Sequence, residues 1–276
     1  WILKINTTTL VGTKVQVNGA NFGHLYGCTF DSSGNFYVAD NTNNEITKIT
    51  MTDYATGTAS TYANLYSGLN KPTDIKFDAQ GNGYICNLGA NNVIKISNTG
   101  INSVFGSGLN QPYTLGFNNL DSILYVANLG IVGGDGSIVR IINGSTTKVP
   151  AILPGPGPPT PGGLANAYSI AINNDNKLLV SDIVNIFYPS LTGGVTIYEQ
   201  QASNFIGIYG NEPPYSTTNI GATCVTFDSG YNFLYLCAYN TNEIWKYTNS
   251  GLTGNSRVIF YNDSSTGPSL NLPTSI

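Results

Sequence analysis

The chain is a succession of short runs in which β-branched and aromatic residues alternate with Thr, Ser, Asn and Lys. Ile75-Lys76-Phe77-Asp78 leads through Ala79-Gln80-Gly81-Asn82 to Tyr84-Ile85-Cys86-Asn87, then to Val93-Ile94-Lys95-Ile96. The same order appears as Cys28-Thr29-Phe30-Asp31, Tyr37-Val38-Ala39-Asp40 and Ile46-Thr47-Lys48-Ile49. It appears again as Val225-Thr226-Phe227-Asp228, Tyr235-Leu236-Cys237 and Ile244-Trp245-Lys246-Tyr247, and diverged copies start near Tyr113 and Tyr168. Such runs, broken by Gly, Asn and Asp, predict antiparallel strands joined by tight turns. Asp-x-x-Gly-Asn between the first and second runs suits a short hairpin loop whose Gly takes positive φ. A fourth, weaker run follows in most copies, as in Ser103-Val104-Phe105 and Arg257-Val258-Ile259-Phe260.

The phrase before each first run also recurs. Gly68-Leu69-Asn70-Lys71-Pro72-Thr73-Asp74-Ile75 returns as Gly108-Leu109-Asn110-Gln111-Pro112-Tyr113-Thr114-Leu115, and again as Ser269-Leu270-Asn271-Leu272-Pro273-Thr274-Ser275-Ile276. A repeat of roughly 40 to 55 residues with four short strands per copy is a propeller blade. First strands are expected near residues 26, 73, 113, 168, 223 and 274, and third strands near 1, 46, 93, 138, 195 and 244. The predicted fold is therefore all-β: a single domain over residues 1–276, a six-bladed β-propeller of four-stranded antiparallel blades. N- and C-terminal strands share the sixth blade, because closure removes the open edges of the ring. That blade lacks a second strand, as expected of an excerpt from a longer chain or of a three-stranded blade.

The order Pro, Phe-Asp, Gly-Asn, Tyr-Val-Ala-Asp, Lys-Ile resembles NHL repeats, and it covers nearly the whole chain. The resemblance implies a six-bladed propeller from a group that includes protein-binding modules, lactonases and amidating lyases, so fold alone does not give activity. The amidating lyases of this group use several histidines for their metal, and here His24 is the only one. The lactonases use acidic and Asn ligands from inner strands. The positions that could copy this are Asp40, Asn87, Asn128 and Asp182, at second-strand ends, and hard cations favour such oxygens. A simpler role for a residue repeated blade after blade is to cap the following turn through backbone N–H groups.

Composition narrows the function classes. Charged residues are 9% of the chain and the net charge is -4, so little is available to grip phosphates and nucleic-acid binding is not expected. No apolar run approaches the roughly 20 residues of a membrane span. A surface of Asn, Thr, Ser, Gly and Tyr suits an extracellular, cell-surface or virion-surface protein. The sequons at Asn6, Asn143 and Asn262 fit a secretory route. Of the four cysteines, Cys224 and Cys237 face each other if Phe227 pairs with Leu234, which allows a disulfide, while Cys28 and Cys86 lie in adjacent blades. The alternative is four small core thiols. No C-x-x-C spacing, Ser-His-Asp set without His24, or Gly-x-Ser-x-Gly elbow is present.

Insertions concentrate on loops predicted to emerge on one face: residues 129–136, 150–163, 183–194 and 209–220. Long loops on a rigid scaffold are where binding concentrates. These carry Asp135, Phe187, Tyr188, Tyr209, Glu212 and Tyr215, residues of the kind that form interface centres and rims. The sequence thus predicts a non-catalytic binding and assembly propeller, contacting a protein partner or itself, with no cofactor. Two alternatives stand beside it: a metal-dependent lactonase- or hydrolase-like enzyme at the channel mouth, and a carbohydrate-binding propeller.

Overall fold

The computed structural model describes residues 2–6, 8–18, 22–50, 58–60, 68–118, 123–130, 136–149, 151–152, 167–172, 178–183, 193–201, 204–209, 222–238, 242–248 and 258–261. Within them, strands form where the alternation predicts. The second repeat gives β7 (Pro72–Phe77), β8 (Gly83–Asn87), β9 (Asn92–Ile96) and β10 (Asn102–Gly106), an antiparallel sheet in chain order. The third gives β11 (Pro112–Phe117), β12 (Leu124–Asn128), β13 (Ser137–Ile142) and β14 (Ser145–Val149). The fifth gives β20 (Ala222–Phe227), β21 (Phe233–Ala238), β22 (Glu243–Thr248) and β23 (Val258–Tyr261). The fourth, β16 (Ala167–Ile172), β17 (Leu178–Ile183), β18 (Gly193–Gln201) and β19 (Asn204–Tyr209), gains β15 (Ala151–Ile152) as a parallel outer strand.

Two sheets have three strands instead of four. The first repeat forms β3 (Leu25–Phe30), β4 (Phe36–Asp40) and β5 (Glu45–Ile49) alone. The next strand, β6 (Thr58–Ser60), pairs in parallel with β2 (Gly12–Asn18), which is itself antiparallel to β1 (Ile2–Ile5). A short polar strand has little side-chain pattern to fix its partner, so the exposed edge of β2 captures it.

The result is an all-β propeller. The first strands β3, β7, β11, β16 and β20 lie side by side in that order, innermost in their sheets. The core lies between sheets: Tyr37, Ala39 and Ile46 pack on Ile75, Ile85 and Ile96, each burial contributing about 1.5–3 kcal/mol for a large aliphatic side chain. Ile2 of β1 packs with Phe36, Val38 and Ile49 of the β3–β5 sheet. Leu3 and Ile5 pack with Ile244 and Tyr261 of the β20–β23 sheet. The strand expected at Thr274–Ile276 lies outside the described residues, as does most of the four long loops. Among the described residues no helix is long and apolar enough to cross a membrane.

The turn between first and second strands is built twice to one plan. Asp31 Oδ1 accepts the N–H groups of Ser33 (2.9 Å) and Asn35 (2.9 Å), while Oδ2 accepts Asn35 Nδ2 (2.8 Å) and the Tyr37 hydroxyl (3.1 Å). Asp78 makes the same four bonds with Gln80, Asn82 and Tyr84. Gly34 and Gly81 both sit at φ 79°, a conformation that a Cβ would strain. Burial raises the Asp31 carboxyl, but the bonds from Asn35, Tyr37 and Ser33 outweigh it and leave the pKa below its ordinary 3.8. Asp31→Ala is expected to cost about 1–2 kcal/mol at neutral pH. With the folded pKa depressed, this contribution is present above the unfolded value and is lost as the pH falls through the folded one. Urea midpoints of wild type and variant should therefore differ at pH 7 and converge in strong acid.

A candidate site in the central channel

Each first strand carries a bulge near its start, between Pro72 and Asp74, Pro112 and Thr114, Ala167 and Ser169, Ala222 and Cys224, and Leu25 and Cys28. A bulge re-aims side chains. Here it directs residues of all five inner strands at one cavity of about 50 Å³, with Gly27, Asp74, Thr114, Ser169 and Cys224 at matching positions in its wall. The volume accommodates about one or two waters. Tyr113 stands over it, edge-on to Tyr26 (5.5 Å between ring centroids) and Tyr168 (4.9 Å), and burial pushes its hydroxyl pKa well up.

The charged centre of this wall is Asp74 beside Lys76. Asp74 is 2% exposed, and its Oδ1 accepts the Ile75 N–H (2.9 Å) and Lys76 Nζ (3.0 Å). Its Oδ2 accepts the Leu115 N–H of the next sheet (2.9 Å). Lys76 Nζ also donates to the Cys28 carbonyl of the preceding sheet (3.2 Å), and its side chain stays 33% exposed. The pair thus ties three inner strands together, with the Lys76 side chain in the cavity wall. Burial raises the Asp74 carboxyl, against the pull of Lys76 and the N–H donors. Burial works to lower Lys76, but the Asp74 carboxylate, together with Cys28 and Cys224, outweighs it and holds the ammonium above its ordinary pKa. Lys76 is therefore a fixed cation. Thr114 Oγ1, buried in the same wall, has no partner among the described residues.

Three of the four residues proposed from the sequence as cation ligands bond to backbone and side-chain groups of their own blade. Asp40 accepts Gly23 N–H (2.8 Å), Asn43 N–H (3.0 Å) and Asn43 Nδ2 (3.0 Å). Asn87 Oδ1 accepts Asn70 N–H (2.6 Å), and Asn128 Oδ1 accepts Asn110 N–H (3.4 Å). All three are buried and cap the loop entering their own blade. The Asp182 side chain lies outside the described residues. Among the described residues no cluster of three or more His, Cys, Asp or Glu could hold a metal. Asp135, Phe187, Tyr188, Glu212, Tyr215 and the Tyr209 side chain also lie outside them. Cys224 and Cys237 are directly opposed, with Phe227 opposite Leu234 as the register predicts, and both are free thiols rather than a disulfide. Antiparallel neighbours reach bridging geometry only with strain.

Sequence reasoning missed Asp74 and Lys76, although a signal was present. Aligned by their Phe-Asp or equivalent ends, the five inner strands carry Gly27, Asp74, Thr114, Ser169 and Cys224 in one column. Thr29, Lys76, Gly116, Ala171 and Thr226 occupy the other. Only the second repeat is charged in both.

No family model and no curated protein sequence matches the chain. Solved structures do. A gluconolactonase from Xanthomonas campestris superposes with a TM-score of 0.63 at 12% identity, covering 92% of this chain and 79% of that one. Virginiamycin B lyase from Staphylococcus aureus gives 0.59 at 16% identity, over 91% and 73%. A chain of a nidogen/laminin complex gives 0.56 at 12%, over 88% and 80%. These likenesses establish the propeller fold. They also correct the expectation of a non-catalytic protein, because that expectation treated this architecture with one histidine as poor material for catalysis. Its solved neighbours include a lyase and a lactonase, and the channel wall supplies charged groups that a histidine count overlooks.

Proposed function

We propose that this chain is an enzyme of the propeller class, lactonase- or hydrolase-like, acting on small esters or lactones at its central channel. The buried Asp74–Lys76 pair opening on the inner-strand cavity carries the reading. A cation held by a carboxylate and a carbonyl is placed to polarise a substrate carbonyl where negative charge develops, with Thr114 as a second donor. Asp74, its carboxyl raised by burial, is the proton acceptor for the attacking water. In this reading Lys76 supplies the positive charge at the substrate carbonyl, and turnover does not depend on an added divalent cation.

The test is turnover of a panel of lactones and esters by the purified chain, with and without EDTA. Activity should survive the chelator and fall by about 100-fold or more in Lys76→Met. No turnover, or turnover abolished by EDTA, would refute the proposal.

The ring is inferred to have six blades, NHL-like in repeat, supported by the packing of β1 against both the first and last repeats. An extracellular, cell-surface or virion-surface location is supported by the 9% charge content. Contact with a protein, a second copy or a glycan through the long loops is a separate proposal, supported by the occurrence of this fold in the nidogen/laminin complex.

A further inference from the structure

Cys224 and Cys237 are the nucleophilic groups that the channel chemistry above leaves unused. They come from adjacent strands β20 and β21, directly opposed in register. Both are buried, and burial, with the neighbouring Cys224, holds the Cys237 thiol well above its ordinary pKa, so it rests protonated. Only Cys224 lines the cavity, in the same column as Asp74. Cys237 lies behind it in the wall, fully enclosed. One thiol is thus reachable from the channel and the other is placed to resolve it.

We propose that Cys224 and Cys237 form an oxidisable dithiol in the channel wall, converted to a cross-strand disulfide by a small disulfide entering the channel. The Cys224 thiolate attacks one sulfur of the small disulfide, whose S–S bond breaks and releases one thiol. Cys237, passing its proton to the departing sulfur, then attacks the Cys224 sulfur and releases the second thiol. The protein pair is oxidised, the small disulfide is reduced to two thiols, and the two protein protons leave with them. A bridge between directly opposed antiparallel residues is strained, which places it among labile, reversible disulfides rather than structural ones. It pulls the Cys224 side chain out of the cavity wall. That consequence for turnover rests on the channel being the active site, whereas the oxidation itself does not.

The probe is bis(2-hydroxyethyl) disulfide with the purified full chain, followed by thiol titration in denaturant and peptide mapping. Titratable thiols should fall from four to two, with a Cys224–Cys237 linked peptide that dithiothreitol reverses. Cys28→Ser and Cys86→Ser should still form the bridge, and Cys224→Ser and Cys237→Ser should not. All thiols remaining free, a bridge through Cys28, or a stalled adduct on Cys224 would overturn the proposal. If turnover exists, it should drop several-fold on oxidation and recover on reduction. An unchanged rate in the bridged protein would remove the regulatory role, and a chain with no turnover that still forms the bridge would count against the enzyme reading alone.

Discussion

Asp74→Ala should lower stability by about 3 kcal/mol, the low end of the cost of breaking a buried ion pair because Lys76 remains partly hydrated. The loss has three parts. The Lys76 ammonium loses its counter-charge, the Leu115 N–H loses its acceptor from the neighbouring sheet, and the Ile75 N–H loses its own. The variant leaves the ammonium with the Cys28 carbonyl but no counter-charge, and two buried N–H donors without the carboxylate. Removing both charges, in Asp74→Ala/Lys76→Met, should recover part of the loss, since an apolar replacement of a whole pair is often tolerated. Urea unfolding of the four proteins completes the cycle. A double variant no more stable than Asp74→Ala would mean that the carboxylate acts only as a backbone acceptor.

The repeat made most of the fold legible, and the reason is physical. Every blade needs the same alternation, so Ile75, Leu115, Ile170 and Val225 recur where a buried inner-strand residue is required, and strand starts follow within a residue or two. Pairings that depend on neighbours rather than pattern were not legible: Thr58–Ser60 on β2 and Ala151–Ile152 on β19 carry too few residues to encode a register. The candidate site was hidden for the opposite reason. Asp40, Asn87 and Asn128 drew notice by recurring, and recurrence marked a structural duty that each blade shares, capping its own entry loop. Asp74 and Lys76 break their columns. In a repeat protein the residue that departs from its equivalents is free to serve chemistry. The bulge that turns Asp74 inward has no sequence mark beyond the Pro that starts the strand.

Gly27→Ala should be nearly as damaging, although it adds one methyl group. An added Cβ at Gly27 would collide with the Asp74 carboxylate and lie 2.8 Å from the Thr73 carbonyl oxygen, so both side chain and backbone resist it. The glycine also explains how Asp74 is used. Asp74 reaches forward to the Leu115 N–H, as Ser169 reaches forward to the Val225 N–H at 3.1 Å. At the equivalent place, Gly27 offers no side chain to the Ile75 N–H, and Asp74 turns its other oxygen to it. Filling Gly27 therefore displaces the carboxylate from Lys76 and costs about 2–3 kcal/mol. Gly116 provides the contrast: its added Cβ would come nearest to side-chain atoms, Ile170 Cγ2 and Ile172 Cδ1 at 3.3 Å, which yield by a few tenths of an ångström, so Gly116→Ala should cost under about 1 kcal/mol. Because Gly27 and Asp74 touch, Gly27→Ala with Asp74→Ala should cost less than the sum of the single changes, measured by urea unfolding. Strict additivity, or equal costs at Gly27 and Gly116, would mean that the carboxylate does not depend on the space the glycine leaves.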